Sequence, residues 1–176
     1  MPKQILNAAL VVIDQGVISV EQHLRVQRFL TYEATLMDDH EYDRWMDLWH
    51  GDDITYWVPC NRDDQDPSTG VAIIYDDRAR LLERMMRLKD KAAHAYRPQA
   101  RLIRSVSDVM PLAQTGDEIE VMSNFCLGEI RSGTHNIWIG RCHYFLVDTA
   151  DGLRIRWKKV LLLNNDEPMP NLTFLV

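Results

Sequence analysis

The stretch EATLMDDHEYDRWMDLWHGDDITYWVP, residues 33–59, changes from a helical to a strand pattern within a few positions. Its apolar residues first repeat at i, i+3, i+4 and i+7, the buried face of a short helix: Tyr42, Trp45, Met46 and Trp49. Asp38 and Asp39 are suitable N-caps for this helix, and Gly51 is a suitable end. Residues 54–59 then alternate as a strand does. This change of period predicts a helix pair docked on a sheet.

Upstream of this stretch, the pattern predicts a longer amphipathic helix. Ser19 followed by Gln22 forms a capping box, so the helix begins there, and its apolar stripe continues to about Met37. Glu33 falls on that apolar face, where an unpaired carboxylate would be costly. We therefore expect Glu33 to have a partner, either an arginine of this chain or a group on another chain. Residues 1–18 form a mostly apolar arm before the helix.

Downstream, one more helix precedes a run of long strands. Residues 71–75 fit a short edge strand, and Asp77 can cap a helix that ends near Asp90. Four alternating segments with short turns then predict an antiparallel meander, over residues 101–110, 119–131, 137–147 and 153–164. Strands of this length coil strongly, and the helices before them cover one face. The expected fold class is α+β, a curved antiparallel sheet wrapped around N-terminal helices as a cone. We expect one domain, residues 1–176, with the cone over residues 19–176.

Composition and charge argue against several classes of protein. The 176 residues suffice for one core, and the net charge of −6 argues against a nucleic-acid partner. No apolar run approaches the ~20 residues of a transmembrane helix, and the run over residues 5–13 lacks a signal-peptide cleavage pattern. Cys60, Cys126 and Cys142 are too few and too distant for a disulfide framework. We expect reduced thiols, with the two strand cysteines buried, in a cytoplasmic protein without a membrane partner.

The residues predict no metal or nucleotide site. No H-x-x-x-H, C-x-x-C or C-x-H pair occurs, and no glycine-rich nucleotide motif is present. One enzymatic alternative is an isomerase or dehydratase pocket in the mouth of the cone, where burial tunes a carboxyl or imidazole beside a tyrosine. Its candidates are Asp39 or His40 near Tyr56, or Asp108 and His143 on the sheet. A homo-oligomeric ligand-binding module is a further alternative.

Several short segments, taken together and in order, resemble the small (beta) subunit of aromatic-ring-hydroxylating dioxygenases from about Val20 onward. The first segment carries Glu33, Leu36, Asp38, Asp39, Tyr42, Trp45, Leu48, Asp53, Ile54, Tyr56, Trp57 and Pro59. The later ones carry Tyr75-Asp76-Asp77, Leu81, Arg84, Arg87-Leu88, Arg101, Arg104-Ser105, Val109, Ser123-Asn124-Phe125, Gly140-Arg141 and residues 171–175. Two positions depart from the family pattern: Asp108 stands where Asn is common, and Arg104 where many members carry His. The segment from Trp57 to Tyr75 looks closer to members that act on aromatic carboxylates.

The resemblance implies a nuclear-transport-factor-like fold and a subunit of an oxidoreductase of aromatic hydrocarbon catabolism that is not catalytic alone. In this family the large (alpha) subunit carries a Rieske [2Fe-2S] cluster and a mononuclear Fe(II). The beta subunit, without a cofactor, metal or catalytic residue of its own, supports an α3β3 assembly with beta–beta contacts in a trimer. Electrons come from a reductase, sometimes through a ferredoxin.

For a subunit of this kind we expect interface residues among buried aromatic and charged anchors. The expected residues are Glu33, Trp57, Arg104, Arg141, Trp157, Lys158 and Phe174. The apolar residues 172–176 would be costly to leave in water. We expect them to dock against a neighbouring chain or against the N-terminal arm.

Overall fold

A computed structural model describes residues 18–61, 70–90 and 98–176. The predicted N-terminal arm up to residue 17 lies outside the described residues, as do most of the loop over residues 60–70 and most of the loop over residues 91–100. Within the described part of the chain, no helix is long and apolar enough to cross a membrane.

Three helices and six strands make up the described structure. The helices are α1 (Val20–Asp38), α2 (Tyr42–Met46) and α3 (Arg78–Lys89). The strands are β1 (Thr55–Pro59), β2 (Ala72–Asp76), β3 (Arg101–Thr115), β4 (Glu118–Arg131), β5 (Thr134–Thr149) and β6 (Gly152–Leu162).

The six strands form one curved sheet in the order β2-β1-β6-β5-β4-β3. The last four strands follow one another as an antiparallel meander, and β2 lies at one edge, as the sequence predicts. β1 runs parallel to β6, so the strand that follows the helix pair docks beside the last strand of the meander. The predicted α+β cone is confirmed. Its inner face packs against α1, and its outer face is the opposite side of the strands.

Local capping explains where two of the helices begin. The Ser19 side chain accepts a hydrogen bond from the backbone N–H of Gln22 at 3.1 Å, and Asp77 accepts one from Arg80 at 2.9 Å, as predicted. The capping prediction for α2 is wrong. Asp38 is the last residue of α1 and its carboxylate contacts Arg104, while the residue that precedes α2 makes no side-chain capping bond.

Helix α2 is shorter than the periodicity predicts. It ends at Met46, although Trp49, one turn later, is still buried. The reason is competition from the sheet, because the backbone after α2 pairs with β6. The N–H of His50 donates to the carbonyl of Ile155 at 2.8 Å, and the N–H of Ile155 donates to the carbonyl of Leu48 at 2.7 Å. The apolar stripe correctly identified the buried side chains, but backbone pairing with β6 determined where the helix ends.

Strand β3 is longer than predicted, since it continues through Pro111 to Thr115. Proline is tolerated there because β3 is an edge strand and needs no ladder bond on its open side. Two irregularities of register accompany it, and at the first of them Asp108 adopts a φ of +48°. The neighbouring strand corrects another prediction: Cys142 is buried as expected, but Cys126 is exposed because it lies on the outer face of β4.

The residues that follow β6 return to the inside of the cone. Phe174, Leu175 and Val176 are buried in the same core as α1 and the inner face of the sheet. The ring of Phe174 packs edge-on against Trp138 at 5.8 Å between centroids. Burial of these three residues therefore needs no neighbouring chain, and docking of this segment against the arm, which lies outside the described residues, stays a prediction. The three residues are part of the core of their own cone.

Candidate functional site: the polar centre inside the cone

The carboxylate of Glu33 is the centre of the cone's interior. It projects from α1 and is 1% exposed. One oxygen accepts hydrogen bonds from Lys158 Nζ at 2.8 Å and from Trp45 Nε1 at 3.2 Å, and the other accepts from Tyr144 Oη at 2.9 Å. The prediction of an internal partner for Glu33 is confirmed, with lysine in place of arginine. Three donors to one buried carboxylate compensate for the water that it loses.

The strand register explains why Lys158 reaches this point. Lys158 lies opposite Tyr144 on β5 and opposite Tyr56 on β1, so the three side chains form a row across the inner face. The ammonium group lies 5.4 Å from the centroid of the Tyr144 ring and 5.8 Å from that of Tyr56. Both distances are within the range of cation–π attraction. Burial, the largest cause, raises the pKa of Tyr144 well above its ordinary value, so its hydroxyl remains a donor to Glu33.

A second ion pair links α1 to the edge of the sheet and to the last residues. Arg104 Nε donates to Asp38 Oδ1 at 2.7 Å, and the backbone N–H of Arg104 donates to Oδ2 at 2.7 Å. The guanidinium also donates to the carbonyl of Leu175 at 2.9 Å. With 3% of its side chain exposed, Arg104 joins three elements from within the protein.

The Tyr56 hydroxyl makes two hydrogen bonds to the backbone of Val176. It donates to the Val176 carbonyl at 2.7 Å and accepts from the Val176 N–H at 3.1 Å. Burial, the largest cause, raises the pKa of Tyr56 far above its ordinary value, and burial likewise raises the pKa of the Cys142 thiol. Both groups therefore stay protonated at neutral pH, and neither is poised to act as a base or a nucleophile.

The space left between these groups is very small. A cavity of about 10 Å³ remains beside Glu33, Arg104, Tyr144, Lys158 and Val176. One water molecule needs roughly 10–15 Å³ by this kind of measure, so a substrate has no room here. In this conformation the polar groups of the interior bind one another and the chain's own last residues.

The candidate groups for an isomerase pocket do not converge. His40 has a φ of +58° and contacts the Tyr42 hydroxyl at 2.7 Å and the Ala100 carbonyl at 2.9 Å. Asp39 is exposed at the end of α1. Asp108 is exposed and accepts a hydrogen bond from Asn124 at 2.9 Å, and His143 is buried between Met122 and Lys159 on neighbouring strands. Tyr56 itself is bound to Val176, so the predicted Asp/His/Tyr arrangement is not formed.

The remaining predicted interface residues lie on the other side of the sheet. Trp57 is buried between the Tyr75 ring, 6.2 Å away, and the Lys159 ammonium, 4.1 Å from its ring centroid. Trp157 is half-buried beside Phe145, with centroids 5.3 Å apart. Arg141 is exposed on β5. Of the seven, Glu33, Arg104, Lys158 and Phe174 use their side chains inside the chain.

Sequence reasoning missed two members of the polar centre, Tyr144 and Trp45 as donors to Glu33. The signal for Tyr144 was available, because strand alternation puts it on the same face as Cys142 and Leu146, which are buried. Among residues 18–61, 70–90 and 98–176, no group of three or more His, Cys, Asp or Glu side chains is arranged to hold a metal ion.

Comparison with known proteins gives a consistent result. A family model described as the ring hydroxylating beta subunit matches residues 32–166. The small oxygenase component of the p-cumate 2,3-dioxygenase system of Pseudomonas putida is 34% identical over 139 residues, covering 78% of this chain and 77% of that protein. The small subunit of 2-halobenzoate 1,2-dioxygenase of Burkholderia cepacia is 31% identical, covering 81% of this chain and 89% of that protein.

Solved structures agree. The beta subunit of benzoate 1,2-dioxygenase from Burkholderia mallei superimposes with a TM-score of 0.72 at 25% identity, covering 91% of this chain and 99% of that one. A chain of naphthalene 1,2-dioxygenase superimposes with a TM-score of 0.83 at 14% identity, covering 100% of this chain and 95% of that one. At 14% identity, the second comparison speaks for the fold alone.

Proposed function

Because this chain belongs to the family of beta subunits of aromatic-ring-hydroxylating dioxygenases, we propose that it acts as a rigid support for the iron-containing alpha subunit in an α3β3 terminal oxygenase. The observation that carries this role is the closed interior of the cone. Glu33, Lys158 and Tyr144 bind one another, and the cavity beside them is about 10 Å³. The buried polar groups therefore hold the shape of the cone and leave no room for a substrate.

In this proposal, the alpha subunit performs the oxygenation reaction of the complex. The alpha subunit carries the Rieske [2Fe-2S] cluster and the mononuclear Fe(II), at which both atoms of O₂ are added to an aromatic ring. Electrons reach it from a reductase, in some systems through a ferredoxin. Three copies of the present chain contact one another within the assembly. A cytoplasmic location and a single domain stay predictions from the sequence.

The substrate class of the complex is an aromatic carboxylate. Several relatives are named for such acids, among them p-cumate, 2-halobenzoate and anthranilate. The segment between Trp57 and Tyr75 gave the same suggestion from the sequence. Substrate choice is made by the alpha subunit, so substitutions in this chain change the amount of assembled enzyme rather than its preference among acids.

Co-expression tests the proposal. This chain is produced together with a candidate large (alpha) subunit from the same source, the large subunit carries the only affinity tag, and the purified mass is measured by sedimentation. We expect co-purification in equal molar amounts at the mass of three copies of each. Recovery of the large subunit alone, with this chain in the unbound fraction at the same expression level, would contradict the proposal.

A further inference from the structure

The outer face of the sheet carries exposed apolar side chains from β3, from β5 and from the residue after β6. Ile103 and Ile137 are 75% and 74% exposed, although strand residues of this kind are normally buried. Leu163, just after β6, is 75% exposed, and Ile139 lies beside it with 46% of its surface open. These four residues form what we call the outer band.

Strand register places the members of the outer band side by side. Ile103 on β3 and Ile137 on β5 both pair with Gly128 on β4, where a methyl group would lie 3.7 Å from Ile103 Cγ2. Two residues further along β5, the carbonyl of Ile139 accepts a hydrogen bond from the backbone N–H of Leu163 at 2.9 Å. Glycine in the middle of the first row leaves a shallow groove between two isoleucines. A continuous apolar surface of this kind is characteristic of an interaction site.

A cleft with an oriented cation adjoins the outer band. The cleft measures about 560 Å³ and is lined in part by Ile139, Leu163 and Arg141. Arg141 Nε donates to Asn124 Oδ1 at 3.1 Å, and Asn124 Nδ2 donates to Asp108 Oδ2 at 2.9 Å. This chain of hydrogen bonds orients the guanidinium while its terminal nitrogens have no partner among the described residues. Arginine beside apolar anchors is the composition of interface hot spots.

Charge argues against a symmetric contact between the outer bands of two copies of this chain. The outer band is bordered by two exposed arginines, Arg101 and Arg141. Asp108 already bonds Asn124 and Ser107, and the acidic residues after Leu163 do not line the cleft. Band against band would therefore bring like charges together.

A second set of exposed apolar residues, on α3 and beside or on β2, lies near several arginines, one of which, Arg87, pairs with Glu83 at 4.0 Å. We call it the α3 cluster, and it comprises Val71, Tyr75, Leu82 and Met86. Arg80 and Arg87 lie exposed on the same helix. Contact between the outer band of one copy and the α3 cluster of another would again oppose arginines. A different chain with carboxylates around an apolar centre fits the outer band better.

We propose that the outer band and the Arg141 cleft form the docking surface for the alpha subunit, which inserts an apolar side chain into the cleft and places a carboxylate against Arg141. This inference rests on the proposed function and adds to it the surface and the chemistry of the contact.

The test compares Ile137→Asp and Leu163→Asp with Met86→Asp, which places the same charge on the α3 cluster at a residue that is 69% exposed. Each variant is co-expressed with the tagged large subunit, and its dissociation constant is measured with purified proteins. Met86→Asp should bind like the unmodified chain. The two outer-band variants should bind at least about tenfold more weakly, as should Arg141→Glu.

Three outcomes would overturn the proposal. Wild-type affinity of Ile137→Asp and Leu163→Asp would do so, and so would equal weakening by Met86→Asp. A change in the size of the isolated chain with unchanged affinity for the large subunit would assign the outer band to contacts between copies. Far-ultraviolet circular dichroism checks folding, and Ile137→Ser replaces Ile137→Asp if that variant fails to fold. Failure of the unmodified chain to bind would instead reject the proposed function.

Discussion

Glu33 shows what decides the interior of this protein at the scale of single residues. Sequence periodicity predicts that it is buried and paired, because a carboxylate on an apolar face requires a donor. The partner could not be named, since Lys158 lies 125 residues away and reaches Glu33 only after β6 pairs with β5 and β1. The local sequence pattern shows that Glu33 needs a hydrogen-bond donor, and the register of the sheet determines that Lys158 is that donor.

Removal of the cation should be far more damaging than removal of the pair. We expect Lys158→Met to lower the free energy of unfolding by about 3–5 kcal/mol, because the carboxyl of Glu33 then remains buried without its cationic partner. The double variant Glu33→Gln/Lys158→Met should recover most of that loss. Urea unfolding followed by tryptophan fluorescence measures both.

A matched control for this experiment is Lys89→Met, which removes an exposed lysine that pairs with Asp43 at 2.7 Å. Exposed pairs contribute about 0–1 kcal/mol, so this variant should be nearly neutral. A loss below about 1 kcal/mol for Lys158→Met, or no recovery in the double variant, would contradict the description of the interior as an interdependent charge centre.

At the scale of elements, the segment over residues 173–176 behaves as an internal part of the cone. Its side chains lie in the core, and its backbone is bonded to Tyr56 and Arg104. The sequence predicted burial for these apolar residues, but it did not predict that the core of their own cone contains them. Irregular segments have no period from which a docking site can be read, so only the assembled cone shows where they pack.

Truncation of Phe174 tests the packing of this segment. Phe174→Ala should lower the free energy of unfolding by about 3–5 kcal/mol, since it removes a ring from a closed core and leaves a cavity against Trp138. Leu172→Ala, at a partly buried position just before it, should have a smaller effect. Equal, small effects for both variants in urea unfolding would show that the segment is not anchored in the cone.

The contact between α1 and the end of β5 predicts a dependence on acid. Arg25 Nη2 donates to Asp148 Oδ1 at 2.6 Å, and this hydrogen bond is the main cause that lowers the pKa of Asp148 below its ordinary value of 3.8. A carboxyl with a lowered folded-state pKa contributes stability above its unfolded value, and that contribution disappears as the pH falls through the folded-state pKa.

Asp148→Asn should therefore cost at most about 1 kcal/mol at pH 7, because the pair is partly exposed to solvent. Its stability should converge with that of the unmodified chain as the pH falls through the lowered folded-state pKa of Asp148, because below it the carboxyl is protonated in both the folded and the unfolded state. The measurement is urea unfolding from pH 7 to pH 2.5. A difference that stays constant over this range would exclude a charge-dependent contact.

The boundaries of helices and strands were predicted well where the local sequence pattern alone determines them, and poorly where pairing within the sheet competes with that pattern. The four strands of the meander were found by alternation, and α1 and α3 by their caps and stripes. Helix α2 was overestimated because the residues after Met46 pair with β6. Strand β3 was underestimated because Pro111 reads as an end unless the strand is known to lie at an edge.

At the scale of the whole molecule, the fold and the family could be predicted from the sequence, and the surfaces could not. Four of the seven expected interface residues direct their side chains inward, because aromatic and charged residues stabilise the core of this cone as well as a contact would. The outer band was not singled out, since Ile103, Ile137, Ile139 and Leu163 fit the apolar half of an alternating strand. Which of the two alternating sets of strand residues is exposed becomes clear only once the structure shows that α1 covers the inner face.

The central claim is that this chain supports an oxygenase without performing its chemistry, and the distribution of iron and activity tests it most directly. Iron, acid-labile sulfide and dihydroxylation of benzoate are measured on the isolated chain, the isolated large subunit and the co-purified complex, with the matching reductase present. We predict that iron and sulfide accompany the large subunit in every fraction, that the isolated chain has neither and turns over nothing, and that the complex is active. Turnover of an aromatic substrate, or stoichiometric iron, in the isolated chain would contradict the claim.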